Sequence, residues 1–420
     1  MRYFAVNNVI IIGGGAAGMM AGIIAARQGS KVTIIEQQWK LGRKILSTGN
    51  GRCNFTNEVQ EPSCYRSSNC DFPFIVYGKF PYEKTLDFFK KLGIYPKNRN
   101  GYIYPNSNQA SAVVETMVME LRRLNVEILV NTRCERIVPN ATFSVYVSSR
   151  NEKGAKIKDF SLQSDKVILA TGSKATPKLG ADGSGYTLGA SLGHQMIPVL
   201  PALVQLKCEE SFYKHLAGIR IDGRVSIYVN GQERAYDTGE IQLTNYGLSG
   251  IPVFQVSGFV AKELATGNEV MGQLNFMPHL TFKEVEALLY QRIQSNPDKG
   301  VGEFLIGLFP KKLSDTIIKL CGLNPNHRIS YMIANDPTGV NKLAKKIVDF
   351  KTKIVGTNSF DHAQVCQGGV DTKEINPDTM ESLLIPGLYF AGEVLDVDGI
   401  CGGYNLQWAW SSGAVAGGQN

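Results

Sequence analysis

A glycine-rich segment near the start of the sequence has the residue types needed to hold a phosphate group. Residues 13–18 read Gly-Gly-Gly-Ala-Ala-Gly and fit the pattern G-x-G-x-x-G. In this pattern the first glycine permits a tight turn, the second lets the backbone approach a pyrophosphate, and the third lets a helix pack closely on a strand. Glu36 follows downstream, where its carboxylate can accept hydrogen bonds from a ribose hydroxyl and disfavours a 2′-phosphate. The segment therefore predicts a dinucleotide site.

The elements that must position these residues form a βαβ unit. Residues 9–12 are a short apolar run rich in β-branched side chains, which is typical of a parallel strand covered on both faces. A helix is predicted over residues 16–28, with Gly29 as its left-handed cap, and a second strand over residues 31–35. The uncharged stretch 9–26 is also compatible with a signal peptide or a membrane span. Its three glycines and the strand that follows favour the βαβ unit.

Composition places the chain among globular proteins of several domains. It has 420 residues, 43% of them hydrophobic and 19% charged, and such a length predicts roughly two to three domains. The formal net charge of +7 favours an anionic ligand slightly, and nucleic acid is an unlikely partner. The eight cysteines include no C-x-x-C and do not cluster with the five histidines, so we expect no metal site and a reducing, cytoplasmic setting.

The βαβ unit alone does not separate NAD from FAD, because both present an ADP half to it. Later motifs are more specific: GRKILSTGNGRCN at residues 42–54, VILATG at 167–172 and AGEVLDVDGICGGYN at 391–405. In order and wording these motifs resemble the YhiN/BaiN-like flavoproteins, also called aminoacetone-oxidase-family FAD-binding enzymes. Cys366 and Cys401 depart from the family pattern, which has threonine or a similar small residue at those positions.

The resemblance implies that FAD is held by segments from both ends of the chain. In such a site the glycines bind the pyrophosphate and Glu36 the adenosine ribose, while Arg43 and Lys44 lie along the ADP portion, where fixed cations face phosphate charge. The residues implied for this first part are Gly13, Gly15, Ala16, Ala17, Gly18, Glu36, Gln37, Arg43, Lys44 and Ser47.

The resemblance places the flavin end on three later segments. Residues 50–54 would pass beneath the ribityl chain and the ring, and the backbone at Cys134 would meet the adenine. A helix that opens at 402–405 would direct its N-terminus at the pyrimidine edge, where backbone N–H groups stabilise the negative charge of the reduced ring. The residues implied for this second part are Gly49, Asn50, Gly51, Arg52, Cys53, Asn54, Cys134, Thr171, Gly172, Gly392, Glu393, Gly402, Gly403, Asn405 and Leu406.

The middle of the chain changes pattern twice. Residues 197–258 carry short alternating segments typical of antiparallel strands, with Asn230-Gly231 as a hairpin signal. Helical spacing follows from Phe282 to Phe350. With the resemblance, this order predicts an α/β fold: a Rossmann-like FAD-binding domain (1–194 and 355–420) with an inserted antiparallel β-barrel (195–275) and a small helical module (276–354).

We therefore expect an FAD-dependent oxidoreductase that passes hydride through flavin N5 to a small organic substrate. The resemblance suggests a steroid-like enone. No second strand-linked G-x-G-x-x-G is present, so NAD(P)H would bind only transiently as the reductant. Two alternatives stay open: a flavin-bearing RNA-associated or redox-sensing protein, and an amine oxidase that uses oxygen. The sequence assigns no catalytic residue beyond the candidates His362 and Cys401, and it leaves the oligomeric state open.

Overall fold

The computed structural model describes residues 7–151 and 154–419. They form two compact units, one containing the described residues up to Leu200 and from Gln364 onward, the other containing Pro201–Ala363. The strands are β1 (Asn8–Ile12), β2 (Lys31–Ile35), β3 (Thr56–Asn57), β4 (Tyr65–Arg66), β5 (Pro96–Arg99), β6 (Tyr102–Pro105), β7 (Glu127–Leu129), β8 (Thr132–Pro139), β9 (Phe143–Arg150), β10 (Lys156–Ser164), β11 (Lys166–Leu169), β12 (Met196–Ala202), β13 (Leu206–Cys208), β14 (Arg220–Val229), β15 (Gln232–Thr244), β16 (Gly247–Ser249), β17 (Val270–Asn275), β18 (Phe350–Thr357), β19 (Val365–Val370), β20 (Leu388–Phe390) and β21 (Asp398–Gly399). The helices are α1 (Ala16–Arg27), α2 (Arg43–Ser47), α3 (Phe72–Lys79), α4 (Tyr82–Lys91), α5 (Ala110–Arg123), α6 (Ser184–Ser191), α7 (Tyr213–Leu216), α8 (Ile251–Ala265), α9 (Phe282–Ser295), α10 (Lys311–Leu320), α11 (Ile329–Asn335), α12 (Gly339–Val348) and α13 (Tyr404–Gly417).

A parallel sheet lies at the centre of the first unit. Its strand order is β20-β11-β1-β2-β7, and each neighbouring pair is parallel. Residues 9–12 of β1 are all buried, because the strand has a neighbour on each side and its apolar side chains are covered on both faces. The predicted βαβ unit is confirmed, and its elements begin and end within one residue of the predicted limits.

The first and last helices of this unit pack directly against each other. A Cβ atom added to Gly413 in α13 would lie 2.5 Å from the carbonyl oxygen of Ala17 in α1, and one added to Gly417 would lie 2.3 Å from that of Ala21. Such close backbone approach is possible only where the side chains are very small. The opening and closing segments of the chain therefore build one packed core.

Smaller antiparallel sheets complete the first unit, with strand orders β10-β9-β8, β3-β6-β5 and β21-β4. Strand β12 pairs with β19. Among the residues that the structure describes, no helix combines the length and apolar character needed to cross a membrane.

The second unit combines strands with a group of helices. Its strands hydrogen-bond in the closed order β13-β16-β15-β14-β17-β18. The β14–β15 hairpin turns at Asn230 and Gly231, whose φ angles of 51° and 77° match the type I′ turn that the sequence indicates. Helix α9 begins at Phe282, as predicted, because Thr281 and Glu284 form a reciprocal capping box.

One part of the sequence prediction for this unit is wrong. Residues 251–258 belong to helix α8, although antiparallel strands were predicted throughout 197–258. Helix α8 follows Gly250 (φ 105°), has Pro252 in its first turn, and buries Val253, Val256 and Val260 along one face. Proline is favoured in a first helical turn because that turn leaves its N–H groups unbonded. Periodicity alone does not distinguish a short apolar run in a buried helix from one in a buried strand, which explains the wrong prediction.

Candidate functional site

The glycine turn between β1 and α1 is held in place by its neighbours. The N–H of Gly13 donates to the carbonyl of Ile35 at 2.8 Å. Gly13 has a φ of 104°, and a Cβ there would lie 2.5 Å from the carbonyl oxygen of Ala170. A Cβ on Gly18 would lie 1.9 Å from the carbonyl oxygen of Gly13. The packing of the protein itself therefore requires glycine at both positions.

Gly15 is different, because no protein atom lies within 4 Å of the position that its Cβ would occupy. Gly15 is also the N-cap of α1, and this helix has neither a side-chain cap nor an acidic residue in its first turn. The positive dipole end of α1 is therefore not neutralised by a capping or acidic side chain of its own first turn. This arrangement fits a pyrophosphate, which needs both the donors and the room that a side chain would fill.

Glu36 closes the turn from the end of β2. Its Oε2 accepts the N–H of Gly14 at 2.8 Å, and its Oε1 accepts the N–H of Gln38 at 2.7 Å. Burial raises the pKa of the Glu36 carboxyl, while these two backbone donors act in the opposite direction. Each oxygen keeps lone-pair capacity for a further donor, which fits the ribose hydroxyl role predicted from the sequence.

A cavity lies beside Glu36, and a wider groove shares two of its lining residues. The cavity is lined by Ile12, Gly13, Ile35, Glu36, Gln37, Thr132, Arg133, Cys134, Thr171, Gly180, Ser184 and Leu188. The groove, of about 570 Å³, shares Gln37 and Arg133 with the cavity and extends to Trp39, Asn131 and Asp182. Burial raises the pKa of the Cys134 thiol to about 12, so this thiol stays protonated and the residue is suited to a main-chain role.

Sequence reasoning identified Gln37 but missed Arg133, Gly180 and Asp182, which line the cavity or the adjoining groove. Arg133 pairs with Asp182 at 2.7 Å, and Gln37 donates from its side chain to the carbonyl of Gly180. The segment at residues 180–189 reads GADGSGYTLG, which lacks the G-x-G-x-x-G spacing and a strand directly before it, so the pattern indicates no dinucleotide site there. Its nearness in sequence to Thr171-Gly172 is the signal that could have identified it.

The segment from α2 to Asn54 carries the next set of predicted site residues. Arg43 donates to the side chain of Gln38, and Ser47 donates to the carbonyl of Lys44. Beyond α2 the chain turns through several left-handed residues, which are Gly49, Asn50, Gly51 and Cys53. Arg52, between them, is exposed. Burial raises the pKa of the Cys53 thiol to about 12, so the structure gives this residue a packing role rather than a reactive thiolate.

The N-terminus of α13 meets this segment through Gly402 and Gly403. A Cβ on Gly403 would lie 2.8 Å from the carbonyl oxygen of Thr56 and 2.9 Å from Oδ1 of Asn54. That Oδ1 atom is buried and accepts no hydrogen bond within the described chain, and the same holds for Oγ1 of Thr171. A buried acceptor without a donor is costly, so Asn54 fits a site completed by a ligand donor such as the N3–H of a flavin.

Glu393 joins the two ends of the candidate site. Its Oε2 lies 2.6 Å from Nζ of Lys44 and accepts the hydroxyl of Ser173 at 3.1 Å. The preceding Gly392 has a φ of 77°, and a Cβ there would lie 2.9 Å from Cβ of Ala17. The glycine turn, α2 and the segment after β20 therefore surround one region of the first unit.

The remaining predicted residues have different surroundings. Asn405 and Leu406 lie in the first turn of α13, and the Asn405 side chain is bonded to the backbone of Gly399. Cys401 is partly buried and directly precedes the glycine pair. His362 lies in an exposed turn of the second unit. The described geometry gives neither Cys401 nor His362 a catalytic role, and both stay predictions.

The fold and this site define a class of protein. A parallel sheet, a glycine turn at the N-terminus of α1 and an acidic residue after β2 are the elements of a Rossmann dinucleotide site, and here α13 packs against α1. Residues 7–419 match the family described as HI0933-like protein Rossmann domain, and the chain belongs to this family. It is a flavoprotein oxidoreductase related to the YhiN/BaiN type.

Three curated relatives span nearly the whole chain. A 3-dehydro-bile acid delta(4,6)-reductase of Clostridium scindens is 45% identical over 98% of each chain. A ribosomal RNA dihydrouridine synthase of Escherichia coli is 30% identical over 96% of each chain. A ribosomal RNA dihydrouridine synthase of Haemophilus influenzae is 32% identical, again over 96% of each.

Proposed function

We propose that this protein is an FAD-dependent reductase that adds hydrogen across a C=C bond conjugated to a ketone in a steroid-like substrate. The observation that carries the proposal is the 45% identity, over 98% of both chains, with a reductase of 3-dehydro-bile acids. Its name describes a substrate in which a carbonyl at C3 activates the neighbouring double bonds. Such a bond accepts hydride at the carbon β to the carbonyl and a proton at the α carbon.

The chain's own residues would bind the cofactor and stabilise charge. The N–H groups at the start of α1 would hold the pyrophosphate, and Glu36 the adenosine ribose. The N-terminus of α13, which has no acidic residue in its first turn, would stabilise negative charge at the pyrimidine edge of the ring. FAD supplies hydride transfer through its N5 atom. The buried Oδ1 of Asn54 would orient the ring by accepting from N3–H.

NAD(P)H is the proposed reductant. The sequence contains no second strand-linked dinucleotide motif, so the nicotinamide would enter the same site as the substrate and leave before the substrate binds. Anaerobic addition of NADH or NADPH to the yellow holoprotein is expected to bleach the flavin absorbance. If neither compound bleaches it, NAD(P)H is not the reductant.

A second candidate is reduction of a uracil base in ribosomal RNA. The two dihydrouridine synthases support it, with 30% and 32% identity over 96% of the chain. The C5=C6 bond of uracil is conjugated to the C4 carbonyl, so the same hydride and proton additions apply. This candidate makes RNA a partner, which the sequence prediction regarded as unlikely, and the formal net charge of +7 is compatible with it.

One comparison separates the two candidates. The purified holoprotein is incubated anaerobically with NADPH and either a 3-oxo-Δ4,6 bile acid or unmodified ribosomal RNA, and both products are analysed by mass spectrometry. The proposal predicts that the bile acid gains two hydrogens and that the RNA is unchanged. Formation of dihydrouridine with an unchanged bile acid would establish the second candidate instead.

A further inference from the structure

Two buried carboxylates, Asp396 and Asp398, lie at or just before a short ladder that contacts α13. Strand β21 pairs antiparallel with β4, with Asp398 opposite Arg66 and Gly399 opposite Tyr65. Two further hydrogen bonds flank this pair of strands, one to a backbone carbonyl and one to a side chain. The N–H of Ile400 donates to the carbonyl of Cys64 at 3.0 Å, and the N–H of Ser68 donates to Asp396. The backbone bends at Asp396, where the N–H of Val397 donates to the carbonyl of Leu395 at 2.7 Å, and Asp398 follows as the first residue of β21.

These two carboxylates have opposite hydrogen-bonding surroundings. Asp396 accepts from the N–H of Ser68 at 2.9 Å, from the hydroxyl of Ser68 at 2.5 Å and from the N–H of Gly368 at 3.1 Å. Asp398 is only 3% exposed, and its Oδ2 accepts no hydrogen bond within the described chain. The nearest cationic atom, Nη1 of Arg66, is 3.8 Å away, which is beyond hydrogen-bond distance.

Asp398 is tied to the end of the helix that the site uses. The N–H of the next residue, Gly399, donates to Oδ1 of Asn405 at 2.8 Å, and Nδ2 of Asn405 donates back to the carbonyl of Gly399 at 2.8 Å. A Cβ on Gly399 would lie 2.8 Å from Cβ of Tyr404, the first residue of α13. Negative charge at the N-terminus of α13 would therefore repel the charged form of the buried Asp398 carboxyl, which directly precedes Gly399.

We propose that Asp398 is a proton-storing residue, which binds a proton when negative charge arrives at the N-terminus of α13 and releases it when that charge leaves. The inference rests on the proposed function, because reduced flavin is the source of the charge. In that reaction NAD(P)H provides the hydride, which ends on the β carbon of the enone. The proton that ends on the α carbon comes from the solvent, and Asp398 holds one proton while the ring is reduced and returns it to the solvent when the ring is oxidised. The oxidised cofactor and a saturated ketone are then the products.

The charges around Asp398 support this role. Burial raises the pKa of Asp398 to about 7, Arg66 on β4 opposes this rise, and Asp396 and Glu393 on the preceding segment add to it. Near neutral pH the carboxyl is therefore partly protonated, and a further negative charge would increase its proton occupancy. Asp398 is argued to act through the charge at the N-terminus of α13, so we regard it as a positioning residue for the proton.

The test measures protons rather than turnover. Holoprotein is reduced with dithionite, without substrate or nicotinamide, and proton uptake per flavin is followed with a pH indicator from about pH 6 to about pH 8. We expect Asp398→Asn to take up measurably less than the wild type near neutral pH. We also expect it to lose a protonated-carboxyl band from the reduced-minus-oxidised infrared spectrum. Asp349→Asn, which changes another poorly solvated carboxylate in the second unit, is expected to match the wild type.

A second variant keeps the test independent of any one substitution. Arg66→Gln removes the opposing cation, so its uptake profile is expected to move to higher pH than that of the wild type. Wild-type uptake and an unchanged infrared spectrum in Asp398→Asn would overturn the inference. This test is independent of the proposed substrate. If the protein takes up the proton through Asp398 but reduces no enone, the inference about Asp398 stands and the substrate assignment is wrong.

Discussion

The ammonium group of Lys44 lies 2.6 Å from a carboxylate oxygen of Glu393, and this ion pair joins residues from opposite ends of the sequence. Lys44 lies in α2 after the first βαβ unit, and Glu393 follows β20. The pair is partly buried, so each charge depends on the other for part of its stabilisation. Removing this one ion pair therefore tests how much the contact between the N-terminal and C-terminal segments of the first unit contributes to stability.

Replacing Lys44 with methionine is expected to lower the free energy of unfolding by about 1–3 kcal/mol, because Glu393 keeps its charge but loses its partner. Urea unfolding followed by circular dichroism measures the loss. Lys91→Met, at the exposed end of α4, removes a charge of the same kind and is expected to have little effect. Equal stability of the two variants would show that the Lys44–Glu393 pair contributes nothing.

The contact between α1 and α13 predicts a steric effect. Gly417→Ala places a methyl group 2.3 Å from the backbone oxygen of Ala21. The backbone has little room to move, so we expect a loss of about 1–3 kcal/mol in unfolding free energy. Gly78→Ala in α3, where nothing lies within 4 Å, is expected to stabilise the protein by about 0.5–1 kcal/mol. A stable Gly417→Ala protein would contradict the described helix packing.

The two glycines of the N-terminal turn should separate binding from folding. Gly15→Ala meets no protein atom, so we expect a melting temperature close to that of the wild type but FAD affinity reduced at least about tenfold, because the new methyl group occupies the pyrophosphate space. Gly18→Ala clashes with the backbone of Gly13 and is expected to lower stability as well. Fluorescence titration of apoprotein with FAD and thermal unfolding measure the two effects. Unchanged FAD affinity in Gly15→Ala would place the phosphates elsewhere.

A buried histidine predicts how stability depends on pH. Nδ1 of His194 lies 3.1 Å from Glu374, and its Nε2 lies 3.0 Å from the hydroxyl of Ser382. Burial lowers the pKa of His194, and the Glu374 carboxylate acts in the opposite direction. The folded state therefore binds a proton less readily than the unfolded chain, so this contribution to stability is present above about pH 6.5 and is lost as pH falls through the lower folded value.

The measurement is urea unfolding of the wild type and His194→Gln between about pH 7 and about pH 5. We expect the variant to be less stable at neutral pH but to lose less stability on acidification. His215→Gln, which changes an exposed histidine of the second unit, is expected to keep the wild-type pH dependence. If His194→Gln and the wild type have the same pH dependence, His194 does not control it.

Local pattern explains what the sequence could predict. The β1–α1–β2 unit follows from an apolar run, a glycine turn and a cap, all within neighbouring residues, and α9 follows from its capping box. Helix α8 was missed because its short apolar run also suits a strand. The Arg133–Asp182 pair and the Asp398–Arg66 pair depend on contacts between distant segments. No periodicity along the chain encodes such contacts, so only the folded structure reveals them.

The position of β20 at one edge of the parallel sheet has a consequence for biosynthesis. A ribosome that has translated as far as Ala363 has made the whole of the second unit, but has supplied neither β20 nor α13. The inserted unit can therefore fold on the nascent polypeptide while the parallel sheet of the first unit still lacks its last strand. With the proposed role of α13 in the cofactor site, cofactor loading follows the synthesis of this helix, and prematurely terminated products contain the insert but lack part of the nucleotide pocket.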